Sequence, residues 1–191
     1  LYTSEGCSSC PPADKWLSQL KANDQLFNNV IPLAFHVDYW NYLGWRDEFS
    51  DASFSQRQRH YNQVGRTASV YTPGFVINGK ELRGFFNLLH RNQPPITGIQ
   101  QAVGELSLEG KDDKFHITFS PVAAGNTQDN TDLVINLAYI GTDLSVKVKR
   151  GENAGKQLEH DFVVLALTQK KLESHDGQLT ALLPRANVKN A

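Results

Sequence analysis

The chain has 191 residues, enough for one large domain or a small domain with an accessory one, and its 40% apolar and 20% charged content is that of a globular protein. A net charge of −1 gives no reason to expect nucleic acid or an anionic membrane as partner. No apolar run approaches the ~20 residues needed to cross a bilayer, so no membrane span is expected.

Leu1-Tyr2-Thr3 reads as the end of a strand, so residues are expected upstream, the rest of that strand and a processed leader among them. Gly6 marks a turn, Cys7 and Cys10 follow, and then Pro11-Pro12. From Ala13 the pattern is helical, with Trp16, Leu17 and Leu20 on one face. The helix starts near Pro11, or at Cys7 with a kink at the prolines. Residues 30–39 form a nearly continuous apolar run, as in a buried central strand.

An aromatic loop with Trp40, Tyr42 and Trp45 comes next, then a polar, helical stretch over 51–64. Thr72-Pro73 precedes a short strand, Phe75-Val76-Ile77, and Asn78-Gly79 predicts a two-residue hairpin turn returning through Lys80-Glu81-Leu82. After Pro94-Pro95, Ile96, Ile99, Val103 and Leu106 recur at helical spacing, and the polar stretch 107–114 suggests a boundary. Beyond it the period falls to two: Phe115, Ile117 and Phe119; Leu133, Ile135, Leu137 and Tyr139; Leu144, Val146 and Val148; and a run over 162–167. Leu179 to Leu183 begins a further strand-like run that stops early, as if the C-terminus were cut. The expected organisation is one domain at 1–106, with an insertion at about 39–71, and an antiparallel β-rich accessory domain at 107–191.

Two cysteines three apart close too small a loop to add much stability. They supply only half of a four-ligand zinc site. A tight Cys-x-x-Cys is better suited to opening and closing. The first thiol, set at a helix N-terminus, would be held as thiolate by backbone N–H groups and the helix dipole. On that reading Cys7 lies exposed and attacks, Cys10 lies underneath and resolves the mixed disulfide, and Ser8 and Ser9 donate toward sulfur. The competing reading is a passive disulfide or two buried thiols.

Cys7-Ser-Ser-Cys10 at a strand–helix junction, with Thr72-Pro73 before Phe75-Val76-Ile77-Asn78-Gly79, resembles the thioredoxin superfamily. The resemblance implies a cis Pro73 facing the cysteine pair, a Thr72 backbone that pairs with bound substrate, and the roles of nucleophile for Cys7 and resolving thiol for Cys10. More closely, residues 1–14, with Asp38-Tyr39-Trp40-Asn41, Gly44-Trp45, Thr72-Pro73 and Arg150-Gly151-Glu152-Asn153-Ala154-Gly155, are similar to DUF1223, a family of bacterial thioredoxin-like proteins of unknown function. The likeness implies an α/β (α+β) chain: a thioredoxin-like three-layer domain with a long insertion, then a small antiparallel β-rich domain. It also implies a periplasmic or secreted location. The Ser-Ser dipeptide is not that of an ordinary thioredoxin, so no reduction potential carries over.

The expected activity is thiol–disulfide exchange with a protein or small-molecule thiol or disulfide partner, without cofactor. The alternative is a non-catalytic binding module using the aromatic insertion or the β domain. Trp40 and Trp45 would line a substrate groove or cap the core. Glu5 would take a proton from the resolving thiol or sit as a solvated turn residue. His36-x-Asp38 would be a metal or acid–base pair, or the plain end of a strand with Asp38 capping a turn. Delivery of a soft metal by Cys7, Cys10 and a histidine such as His36 lacks supporting spacing. His60, His90, His116, His160 and His175 are scattered, and are expected at the surface or half-buried. Arg150 to Gly155 reads as a polar glycine-rich turn, and its match to the family pattern implies domain docking.

Overall fold

The architecture was read from a computed structural model, which describes residues 1–84, 103–122, 133–175, 178–186 and 188. Among the described residues it is mixed α/β and strand-rich, with two α-helices and several small sheets. The chain forms two compact units, one of residues 1–98 and 140–164, the other of residues 99–139 and 165–191. The expected single cut between 106 and 107 is therefore corrected. Residues 140–164 return to the first unit because Phe162, fully buried, completes the core there.

In the first unit, β1 (Tyr2–Thr3) pairs in parallel with β2 (Phe35–His36). On its other side, Tyr2 and Gly74 exchange two backbone hydrogen bonds of 2.8 and 3.0 Å. The hairpin of β3 (Phe75–Ile77) and β4 (Lys80–Leu82) turns at Asn78 and Gly79. Both turn residues have positive φ (49° and 77°), as a type I′ turn requires. Only two residues of the expected strand at 30–39 are regular strand. Pro32 has no N–H to give a ladder, and after Val37 the chain turns, with Asn41 N–H donating to the Asp38 carbonyl.

α1 (Pro11–Ser18) takes the first of the two expected starts. Its Ala13, Trp16 and Leu17 join Leu20, Val30, Ala34, Phe75 and Phe162 in one cluster, with the Trp16 and Phe75 rings edge to face at 5.1 Å. α2 (Ala52–Gln63) is capped by Asp51, whose carboxylate accepts from Ser53 N–H at 2.7 Å, and it buries Phe54 against Phe35.

The second unit has a four-stranded antiparallel sheet. It contains β5 (Gly104–Lys111), β6 (Lys114–Pro121), β11 (Glu173–His175) and β12 (Gln178–Pro184), in the order β11-β12-β6-β5. Ile117, Leu179, Ala181 and Leu183 are its buried residues of alternating register. Two expectations fail here. Gly104 to Leu106 is strand, not the end of a helix, and 107–114 is the rest of β5 and its turn, not a boundary. β5 is an edge strand, exposed along nearly its whole length, so its composition is that of a loop. The start of the expected helix, at Ile96 and Ile99, lies outside the described residues. Two of the three boundaries between the units fall inside β7 (Val134–Gly141) and β10 (Val163–Lys171). Between these two strands run β8 (Leu144–Lys147) and β9 (Gln157–His160), an antiparallel pair.

Candidate functional site

β1 delivers the chain into the loop that carries the cysteines. Cys7 N–H donates to the Ser4 carbonyl at 3.1 Å and Cys10 N–H to the Cys7 carbonyl at 3.2 Å, which folds Cys7 and Cys10 to a Cα–Cα distance of 5.4 Å. The two form a disulfide. Ser9 Oγ lies 3.3 Å from Cys7 Sγ, and since a disulfide sulfur has no proton, the hydroxyl donates.

Two details of the cysteine reading are corrected. Cys7 is not at an open tip: it is 1% exposed, Cys10 is 0%, and only Ser8 and Ser9 face solvent. The start of α1 also offers few donors. Pro11 and Pro12 have no N–H, and the N–H groups of Ala13 and Asp14 already donate to the Cys10 carbonyl. The helix field remains, but the described donor to Cys7 sulfur is the Ser9 hydroxyl.

The turn at 150–155 explains much of this enclosure. Glu152 Oε2 accepts from Ser8 N–H at 2.9 Å. The bonds from Ser8 hold the Glu152 carboxyl below its usual range. The amide of Asn153, fully buried, donates to both the Glu5 and Cys7 carbonyls, at 2.8 and 2.9 Å. The turn thus braces the cysteine loop from 146 residues away in sequence.

The indoles of Trp40 and Trp45 are partly buried braces, not free groove walls. Trp40 Nε1–H donates to Thr72 Oγ1 at 2.8 Å and Trp45 Nε1–H to Glu5 Oε2 at 2.5 Å. Tyr42, 78% exposed, is the aromatic of this loop that faces solvent. Gly6 is required by Trp40: a Cβ on Gly6 would stand 2.9 Å from Trp40 Cβ. Trp40 therefore touches the cysteine loop at Gly6 and the Thr72-Pro73 step at its far end. That peptide bond is cis.

Beneath the cysteine loop the interior is ionisable. Glu5 is fully buried, which removes its reading as a solvated turn residue. His36 pairs not with Asp38 but with Asp47, Nδ1 to Oδ2 at 2.7 Å, both side chains fully buried. Asp38 instead accepts from the Ser55 hydroxyl. Asp47 also accepts from Glu5 N–H at 2.9 Å and Phe49 N–H at 3.0 Å. Burial opposes charge on both partners, but their mutual attraction outweighs it, so His36 is raised and Asp47 lowered. Burial pushes Asp14 up, and the His160 and His36 imidazoles pull it back only in part.

His160, expected at the surface or half-buried, is 2% exposed. Its Nε2 lies 3.5 Å from Glu5 Oε1 and its Nδ1 3.9 Å from Asp14 Oδ2. Among the described residues, no group of three or more His, Cys, Asp or Glu side chains is arranged to hold a metal ion. Asp14, Asp47, Asn153 and His160 are the site residues that sequence reasoning missed. For His160 a signal existed: Leu158 and His160 alternate with Gln157 and Glu159, placing the imidazole on the apolar face of a strand.

Fold and site thus define a strand-rich α/β protein with a disulfide-forming Cys-x-x-Cys pair at the start of a helix. The chain belongs to the DUF1223 family, described as a protein of unknown function, whose model matches residues 1–191. It is similar to a protein from Agrobacterium tumefaciens solved by X-ray crystallography. The two are 29% identical with a TM-score of 0.60, over 96% of this chain and 76% of that one. No curated protein matches the chain.

Proposed function

We propose that the protein is a thioredoxin-like thiol–disulfide oxidoreductase of the periplasm or the secreted fraction, acting through Cys7 and Cys10 on a protein or small-thiol partner. The observation that carries this reading is the placement of the disulfide at the start of α1, between Glu5 and Asp14 in sequence, two buried carboxyl groups that both approach His160. A structural staple has no use for such an interior, whereas thiol exchange must move protons. Support for a three-layer thioredoxin-like core comes from the β1–β2 and β3–β4 pairs and the isolated bridges Ala34–Val163 and Tyr2–Gly74 that extend them, with the cis Thr72–Pro73 bond just before the hairpin.

In the reducing direction, the Cys7 thiolate attacks a partner disulfide. A mixed disulfide forms and one partner sulfur leaves as thiolate. Cys10 then gives its proton to the Glu5 carboxylate and attacks Cys7 sulfur. The Cys7–Cys10 bond closes, and the second partner sulfur leaves and takes a proton from solvent. Counting the proton that Cys7 gives to solvent on becoming the thiolate and the one that the first partner thiolate takes from solvent, the partner gains two electrons and two protons and the cysteine pair loses both. The oxidising direction is the reverse. Thr72 and Pro73 would seat the substrate backbone, with Trp40 and Trp45 holding the two sides of the loop in place.

The test is reduction of insulin disulfides and oxidation of a model dithiol by the wild type and by Cys7→Ser. Both activities should vanish in the variant; both surviving would end the proposal. The 1% exposure of Cys7 favours a second reading, a binding module with an inert disulfide. It predicts that Cys7→Ser keeps the physiological interaction and that changes at Trp40 or Trp45 remove it.

A further inference from the structure

His160 is the least explained group of the interior. β9 turns its imidazole inward, where it is 2% exposed, and neither ring nitrogen has a hydrogen-bond partner. Two carboxyl groups nevertheless stand at its two ends: Glu5 Oε1, itself without a partner, 3.5 Å from Nε2, and Asp14 Oδ2 3.9 Å from Nδ1. The other groups that face the ring are His36, with ring centroids 4.9 Å apart and its own Nδ1 committed to Asp47, and the phenyl ring of Phe49. Asp14 and His160 also line a cleft of about 400 Å³ between α1 and β9, whose rim carries Lys15, Lys21 and Glu159. The line Glu5–His160–Asp14 therefore starts two residues from Cys7 and ends at a cleft.

We propose that His160 is the proton carrier of the cysteine pair, exchanging protons between Glu5 and Asp14 and so with solvent in that cleft. This rests on the redox reading above. A neutral imidazole donates at one nitrogen and accepts at the other. When Cys10 loses its proton to Glu5, the carboxyl passes it from Oε1 to Nε2, and the ring releases the proton on Nδ1 to Asp14, which gives it to water. The ring is left in its other tautomer. When the disulfide is next reduced, a proton enters from water through Asp14 to Nδ1, and the one on Nε2 returns to Glu5 and the thiol. One proton out and one in restores the starting tautomer, so the ring need not turn over. Burial raises Asp14 above the usual carboxylate range, which makes it readier to take a proton than an exposed carboxylate.

The test is the rate at which a Cys7-linked mixed disulfide resolves, followed across pH in the wild type, His160→Gln and Asp14→Asn. Glutamine keeps hydrogen-bonding capacity and cannot carry the proton. Both variants should slow resolution at neutral pH, His160→Gln by on the order of 100-fold, the low end for a positioned acid–base group. Both should also lose the inflexion of the wild-type rate profile. Unfolding midpoints identify any variant that fails to fold, and Asp14→Asn cuts the outer end of the line if His160→Gln does fail. Folded variants with the wild-type profile, while Cys7→Ser abolishes exchange, would overturn the carrier and leave the redox reading intact. A wild type with no Cys7-dependent exchange would overturn both.

Discussion

The surroundings of the cysteine pair and the four-stranded sheet of the second unit are built on opposite rules. The sheet buries Ile117, Leu179, Ala181 and Leu183 and, among the described residues, no ionisable side chain. The cysteine loop sits over Glu5, Asp14, His36, Asp47 and His160, all nine-tenths or more buried, with Asn153 among them. Burying charge costs several kcal/mol per ion before any pairing is counted, on the order of magnitude of a domain's whole stability. An apolar interior of the same volume would be at least as stable. On the proposed function, the ionisable set gives the first unit the groups that would move protons, while the sheet holds none that are buried among its described residues.

Removing a partner from the ionisable interior should be the costliest change. Asp47→Ala strands a buried His36 and should cost about 3–5 kcal/mol in urea unfolding. In the sheet, Ile117→Val only trims a well-packed side chain and should cost about 0.5–1.5 kcal/mol. Equal costs for the two would erase the contrast.

The second break is pH. Asp47 is lowered from 3.8, so its contribution is present above that value and is lost as pH falls through its folded pKa. His36 is raised from 6.5, so its contribution is complete below 6.5 and is lost as pH rises through its folded pKa. Asp14 is raised from 3.8, so it costs stability as pH rises above that value. The stability contributed by this pair, read as the difference between the wild type and Asp47→Asn in thermal unfolding, should therefore be largest on the acid side of neutral. A difference that is largest above pH 8 would contradict the pairing. The smallest expected effect concerns the loop itself: Ser9→Ala removes the hydroxyl that faces Cys7 sulfur and should raise the Cys7 thiol pKa slightly, read by thiolate absorbance.

How much of this could be read in advance follows the same division. The hairpin at Asn78-Gly79 and the cis Thr72–Pro73 bond depend on local chemistry and a family motif and match expectation, and the start of α1 at Pro11 is one of the two starts that the prolines allow. β5 escaped because an exposed edge strand needs no apolar face, so its residues carry no period. The return of residues 140–164 to the first unit depends on Phe162 meeting residues more than a hundred positions away, which no spacing records. The buried cluster was missed for the same reason. Glu5, Asp14, His36, Asp47 and His160 come from five separate segments, and even where one of them stands out alone, as Glu5, His36 and His160 do, no spacing says that they meet. The indoles of Trp40 and Trp45 were noticed, but their hydrogen bonds to Thr72 and Glu5 are visible only in three dimensions.

The most direct test of the central claim is to equilibrate the Cys7–Cys10 couple against glutathione buffers and read its potential. A working exchange site should open within the range of about −270 to −120 mV spanned by thiol–disulfide oxidoreductases. A couple that stays closed below about −300 mV would be a structural disulfide, and would contradict the account.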